Sequence, residues 1–516
     1  MSATIAPNCY CYQPLLEPDS IRILLLQPAR SHEIDLEGSL IHTTLSDCDD
    51  DIIEPFTALS YVWGDSGKTE LAHVDAQSVA ITPTLDAALR DLRDSTRVRK
   101  IWADALCIDQ SNNEEKAQQV VNMGEVYKTA ARTIIHLGPL TPQADRVLEH
   151  VPRRNCGRNV APGGSYATIV KEAEEDLLTR TWFRRVWVFQ ELVLSRDPWI
   201  QCGSKMVRWV DVCHLLIPPS NDHDIFRESL NKGLSGVQIL RQMENSRKIG
   251  NEPIWDLLIK RRGLGATDPR DMVYAHMGMA SDSSTLSQYV SIDYRQEHDV
   301  SEVYVQVTRY IIDKIGLSSV FSLIEETPFE ERLPRLPSWT PDWRKTTTKK
   351  NARRDYTHQR FHLFTQNPHI LAHIGYIFDV IAENTSNPSQ KEVVGVTLTT
   401  HGKFDSIGNR KSAKTREGRD SVVPRHARTG DAIIYLCSCT SFVVARRIEK
   451  SDPDLDESLW QKYTNSDRLV LLNKRLPIEH SLFVGVCSLR AMGKLVRPED
   501  RAWSLAQPDL RLIALH

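Results

Sequence analysis

Cysteine is scarce in this chain and nowhere patterned. The ten cysteines among 516 residues fall at 9, 11, 48, 107, 156, 202, 213, 437, 439 and 487. They include no CxxC pair and no Cys/His spacing of the kind that holds zinc. A disulfide-built secreted framework is thereby excluded, and the thiols read as reduced and mostly buried. Cys437 and Cys439 share one face of a strand, too little for a metal or redox centre. Excess charge is missing as well: Lys plus Arg is 64 against 67 Asp plus Glu, a net of -3. With no global basic field, nucleic acid is not expected as a partner. The first residues, MSATIAPNCYCYQPLLEPDS, contain neither a basic n-region nor a long apolar run, so no secretory signal is read there. No window reaches the roughly 18 apolar residues of a membrane span. The expectation is a soluble, cytoplasmic protein of roughly 2–4 domains with no membrane partner.

One stretch, ALSYVWGDSGKTE at residues 58 to 70, carries two misleading words. Gly64-Asp65-Ser66-Gly67 is the tetrapeptide around a trypsin-type nucleophile, but that enzyme needs its His and Asp upstream. Only 65 residues precede Ser66, and His32 and His42 stand in no recognisable context. Gly67-Lys68-Thr69 ends like a P-loop, yet Val62 occupies the position where the first glycine must turn the phosphate nest. What remains is a buried strand closed by a glycine turn.

A periodic pattern follows. Thr84 reads as the N-cap of a helix carrying Leu85, Ala88, Leu89 and Leu92. IWADAL reads as a second buried strand, with Asp104 at its end. Ser111 and Glu114 have capping-box spacing before a helix striped by Val120, Met123, Tyr127 and Ala130. RTIIHLG is a third strand. Strand, helix, strand, helix, strand predicts a doubly wound parallel sheet. LTRTWFRRVWVFQELVLS, residues 178 to 195, then reads as one largely buried helix, with Glu191 at the edge of its apolar arc beside Arg184.

FTALSYVWGD, IWADALCIDQSNNEEKAQQVVNMGEVYKTAARTIIHLG and TRTWFRRVWVFQELVLS together resemble the three blocks of the fungal heterokaryon-incompatibility (HET) domain. They come in that family's order and cover about residues 20 to 200. ATDPRDMVYAHMGMA, SIDYRQEHDVSEVYVQVTRYI and LPSWTPDWR resemble segments that commonly follow it. The resemblance implies fungal nonself recognition and programmed cell death. It also implies a TIR/flavodoxin-like sheet, since HET domains are remotely similar to TIR domains, some of which cleave NAD at the nicotinamide–ribose bond. Their glutamate sits in a Trp-Cys-x-x-Glu-Leu-like word. Here Trp187-Val188-Phe189-Gln190-Glu191-Leu192 matches it, with Val188 where the cysteine would stand, so the catalytic role carries over to Glu191.

NAD then enters as a substrate, not a resident cofactor, and no metal is expected. Nicotinamide is a good cationic leaving group, so one carboxylate that stabilises an oxocarbenium-like ribose suffices. Trp63, Gly64 and Asp65 in the first-strand loop, with Asp104, would sit at the carboxyl edge of the sheet, where open α/β folds bind ligands. Trp63 or Trp182 would stack on a base, and Arg184 would meet a diphosphate. Each has a plainer reading. Glu191 pairs with an arginine, Asp104 and Asp109 anchor a loop through Asx turns, and Trp63, Trp182 and Trp187 are core aromatics. Arg184 and Arg185 are solvated or salt-bridged, and Cys107 is a buried thiol. The competing function is a non-enzymatic adaptor that self-associates through the HET domain to recruit an incompatibility partner. A pathway-associated member with no incompatibility role is the third. Expected domains are 1–215 (HET domain with N-terminal extension), 216–345 (helical), 346–429 (polar basic linker or loops) and 430–516 (a small β-rich unit).

Overall fold

The computed structural model describes residues 10–49, 55–64, 67, 69–151, 166–217, 235–295, 299–321, 323–324, 331–345, 362–364, 367, 369–384, 395–398, 404–407, 410–437, 442–448, 457–459, 461, 477–489 and 510–516. It divides into two compact units. The first comprises Met1–Leu257, Leu264–Ser283 and Ser291–Gln296, and the second Leu258–Gly263, Ser284–Val290 and Glu297–His516.

The first unit is built on a nine-stranded sheet. Its strands are β1 (Ser20–Leu26), β2 (Leu36–Thr44), β3 (Thr57–Tyr61), β4 (Glu70–Val74), β5 (Gln77–Ile81), β6 (Arg99–Trp102), β7 (Arg132–His136), β8 (Pro198–Cys202) and β9 (Lys205–Arg208). Across the sheet they lie in the order β5-β4-β2-β1-β6-β3-β7-β8-β9. The expected parallel sheet is its centre, and β2 and β4 also pair in parallel nearer one edge. β6, β3, β7 and β8 run parallel, whereas β1 pairs antiparallel with both β2 and β6. Antiparallel hairpins β4–β5 and β8–β9 finish the two edges. Asp75 and Ala76, at φ 50° and 61°, supply the doubly left-handed turn of the first hairpin. Counted along the chain, the four parallel strands lie in the order 2-1-3-4, so the direction of winding reverses beside β3. That reversal opens a crevice at the carboxyl ends of the strands.

Helices Pro83–Leu92 and Asn113–Thr129 make the crossovers into β6 and β7. Both begin slightly away from the expected caps. Thr82 caps the first, accepting from Leu85 N, because Pro83 needs no donor partner at the first helical position. Asn112 caps the second through Glu114 N and Glu115 N, while Ser111 donates to Asp109 Oδ1 at 2.6 Å. The stripe Val120, Met123, Tyr127 and Ala130 is buried as expected.

Two further expectations need correction. β6 stops at Trp102, and Asp104 begins a short helix, Asp104–Cys107. Residues 178–195 are not one helix. They form 3₁₀ turns at Leu177–Thr179 and Thr181–Arg184, an extended Arg185, and the helix Val188–Val193. The break follows from backbone pairing: Gly265 N donates to Arg184 O at 2.8 Å, and Val186 N to Gly265 O at 3.1 Å. An apolar stripe of helical period fits this interrupted path as well as a continuous helix.

The second unit contains the helix Val300–Ile315, capped by Asp299, and a β-structure whose strands close on themselves. β11 (Leu371–Asn384), β14 (Arg410–Thr415), β15 (Asp420–Pro424), β18 (Ile478–Leu489), β17 (Phe442–Arg447) and β16 (Ala432–Leu436) follow in that order, and β16 pairs back onto β11. β10 (His362–Phe364) and β19 (Arg511–Leu515) add to the ring, and β12 (Gly395–Leu398) pairs with β13 (Phe404–Ile407). Strands therefore begin near residue 362, inside the stretch expected to be a basic linker. β11 buries Leu371, Ala372, Ile374 and Tyr376 without clean alternation, and β14 hides its buried Ala413 among lysines and an arginine.

Candidate functional site

β3 carries a serine, Ser60, between Leu59 and Tyr61, fully buried. A hydroxyl there must find partners. Trp182 Nε1 donates to Ser60 Oγ at 2.7 Å, and Ser60 Oγ donates in turn to Glu191 Oε2. Glu191 is 4% exposed, on the buried helix Val188–Val193. Burial pushes its carboxyl up from 4.5 to about 7, with help from the nearby Asp104 charge. Arg185 and the Ser60 hydrogen bond oppose the rise without cancelling it. Arg185 is itself held by Tyr61 O at 2.7 Å. Its extended backbone, the break in the expected helix, puts the guanidinium at the end of β3.

Beyond β3 the chain turns at Gly64, whose φ of +72° a side chain would strain. Trp63 O accepts from Thr84 Oγ1 at 2.9 Å, and Trp63 Nε1 donates to Asp104 Oδ2 at 2.9 Å. Burial raises the Asp104 carboxyl, against the pull of Arg185, Trp63 and Ala105 N. Trp63, Asp104, Arg184, Arg185, Trp187 and Glu191 line one cleft of about 490 Å³ at the carboxyl ends of the parallel strands. Gly265 to Asp268, Asp271, Lys116 and Tyr294 complete its walls. Tyr294 donates its hydroxyl to Asp271 Oδ1 at 2.7 Å. Burial lifts Asp271 to about 6 in spite of Tyr294 and Trp187. Asp268 is also partly desolvated, but the bidentate Arg270 outweighs burial and lowers it.

This cleft lies largely within a recognisable block of sequence. Residues 56–191 match the family model described as Heterokaryon incompatibility protein (HET). The chain carries a HET domain. Heterokaryon incompatibility protein 6, OR allele, of Neurospora crassa is 27% identical over 434 residues, covering 69% of this chain and 62% of that relative. The chain thus spans less than two thirds of that relative's length. No solved structure matches.

Within the HET domain, Trp63, Gly64, Asp104, Arg184 and Glu191 come together on the cleft. Trp182 does not. It is 0% exposed, edge-on to Phe183 and spent on Ser60, so it cannot stack on a base. Asp65 lies outside the described residues. Asp109 anchors its loop through Ser111 N at 3.0 Å, and Asp104 does so through Ala105 N at 2.8 Å while also facing the cleft. Cys107 is buried, its thiol pushed up to about 12 by desolvation, and Cys437 is buried. Cys439 lies outside the described residues. Sequence reasoning missed Ser60, Lys116, Asp271 and Tyr294 as site residues. Ser60 had a signal, a small hydroxyl between Leu59 and Tyr61 in a buried strand. Asp271 and Tyr294 sit far beyond the three HET blocks, where no spacing ties them to Glu191. Among the described residues no group of His, Cys, Asp and Glu is arranged to hold a metal ion, and no helix is long and apolar enough to cross a membrane.

Proposed function

We propose that this chain is an incompatibility-type protein of fungal nonself recognition and programmed cell death whose HET domain hydrolyses NAD in the manner of TIR domains. The observation that carries the reading is Glu191, a desolvated carboxyl at the carboxyl edge of the sheet whose proton leaves at about pH 7. The name of the Neurospora relative and the HET match support the incompatibility role. The strand order 2-1-3-4 supports the TIR/flavodoxin-like comparison.

In this reading the C1′–N bond of the nicotinamide riboside breaks heterolytically, and its electron pair neutralises the pyridinium. Ionised Glu191 stabilises the oxocarbenium-like ribose, water attacks C1′, and the water's proton passes to the carboxylate. Arg184 and Lys116 are the cations available to the diphosphate. One observation favours the adaptor reading instead: Glu191 already has Ser60 as a donor and Arg185 nearby, as a purely structural carboxylate would.

The two readings part on one assay. Nicotinamide release from NAD is measured with the full chain, wild type beside Glu191→Ala, with folding checked by circular dichroism. Turnover that falls by ~10²–10³ in the variant supports the hydrolase. Absence of turnover by the folded wild type, even when concentrated or cross-linked, removes that reading in favour of the adaptor.

A further inference from the structure

A second pocket, of about 300 Å³, is formed by the segment before β1 and the start of the helix Asn113–Thr129. It shares no lining residue with the cleft, although one loop serves both. Asp104 and Gln110 face the cleft, whereas Asp109 and Asn112 face this pocket. Four carboxylates line it, Glu17, Asp109, Glu114 and Glu115, and no lysine or arginine does. Arg22, fully buried, forks onto Glu115 at 2.6 and 3.0 Å and neutralises that one alone. Among the described residues no ion pair reaches Glu17, Asp109 or Glu114. Helix N-termini favour acids, which accounts for Glu114 and Glu115, but Glu17 and Asp109 come from other segments.

A neutral side chain points to a ligand independently. Gln119 also lines the pocket and is 2% exposed. Its Nε2 donates to Ser20 O at 2.9 Å, which fixes the amide, and its Oε1 has no hydrogen-bond partner among the described residues. A buried acceptor left open is costly, so a donor from a ligand would be favoured there. The anionic walls favour a donor that carries positive charge. An ammonium is a compact point charge with three donors. A guanidinium is flat with five, and so meets acceptors that come from separate segments.

We propose that this pocket binds a guanidinium group, with Gln119 Oε1 accepting one N–H and the carboxylates of Glu17, Asp109 and Glu114 supplying the counter-charge. Such binding does not depend on NAD hydrolysis in the cleft.

Calorimetry on the full chain tests this with N-acetylarginine amide and its neutral isostere, N-acetylcitrulline amide. The arginine probe is expected to bind at least about tenfold more tightly at low salt, and that preference should shrink at ~0.5 M salt as the carboxylates are screened. Replacing both surface carboxylates, Glu17→Gln with Glu114→Gln, should reduce the preference several-fold and leave citrulline binding unchanged. Gln119→Leu, with an unchanged circular dichroism spectrum, should weaken both probes, because both donate to the amide oxygen. A merely acidic surface would not show that split. Leu16, between the lining residues Leu15 and Glu17, is 90% exposed, an apolar contact open to a peptide. The tripeptide N-acetyl-Leu-Arg-Leu amide therefore separates the sources: tighter binding than the single residue supports an arginine of a partner protein, and equal binding supports a free guanidinium compound. Equal affinities for arginine and citrulline, no binding of either to the folded wild type at ~10 mM, or a preference unchanged in the double variant overturns the proposal. So does a folded Gln119→Leu that weakens neither probe.

Discussion

Glu191 is costly to the fold once it is ionised. Its carboxyl rises from 4.5 to about 7, chiefly by burial, so the folded chain keeps a proton that the unfolded chain releases between those values. The stabilisation from this group is therefore present at low pH and lost as pH rises through that window. Glu191→Gln keeps an acceptor for Ser60 and removes the buried charge. We expect it to raise the free energy of unfolding at pH 8 by ~1–3 kcal/mol, less whatever Arg185 loses, and to leave that at pH 4.5 nearly unchanged. Denaturant melts at the two pH values check this; equal effects at both would mean the carboxyl is not desolvated. If the chain hydrolyses NAD, turnover should climb through about pH 7 as Glu191 ionises. Ser60→Ala should push that climb to higher pH, because the carboxylate loses its donor. The same change strands the Trp182 N–H and should cost about 1–3 kcal/mol. A pH profile unmoved by Ser60→Ala would count against Glu191 as the titrating group.

The helix Val188–Val193 is held in place by its own Gln190. In the orientation that satisfies both ends, the Gln190 amide donates to Ala275 O at 2.9 Å and accepts from Gly124 N at 2.9 Å. Two glycines make room for it. A Cβ at Gly278 would stand 2.9 Å from the terminal amide of Gln190, and one at Gly124 would stand 3.2 Å from it. Gly278→Ala must therefore displace a side chain that is bonded at both ends. We expect a loss of about 1–3 kcal/mol, read as a lower denaturation midpoint, and a weaker hold on Glu191. A neutral result would mean that Gln190 swings away freely. At this scale the sequence was legible where a single element carried its own pattern. The stripe from Val120 to Ala130, the strand ending in Tyr61 and the glycine turn after it could all be read from spacing. The path through Arg185 could not, because Gly265, whose backbone interrupts it, lies 80 residues away in the chain. Glu191 was found through a motif. Asp271 and Tyr294 had neither motif nor spacing, since only the folded crevice brings them to it.

Over the whole chain, charge runs concealed structure more than any other feature. Basic residues between 344 and 428 suggested linkers, yet β11 there is the longest strand, pairing with β10, β14, β16 and β19. Ring closure is what rescues such strands. Once every edge is paired, short segments such as RKSAKT are held by backbone bonds on both sides, while Lys414 is exposed and Lys411 donates to Ala427 O at 2.5 Å. The point of closure is tight at Gly375. It faces Leu436 of β16 on one side and Arg511 of β19 on the other, and a Cβ there would lie 2.6 Å from Tyr435 O. That oxygen belongs to the backbone, so it cannot rotate away as a side-chain atom could. Gly375→Ala must move β11 relative to β16 and open the ring over Ile374, Tyr376 and Tyr435, which share one apolar cluster. We expect a loss of at least about 1–3 kcal/mol, measured as a lower midpoint in urea, with faster amide exchange confined to β11, β16 and β19. The N-terminal sheet makes none of these contacts, so its exchange should not change at low denaturant. Accelerated exchange spread evenly over both units would show instead that the ring is not a separate source of stability.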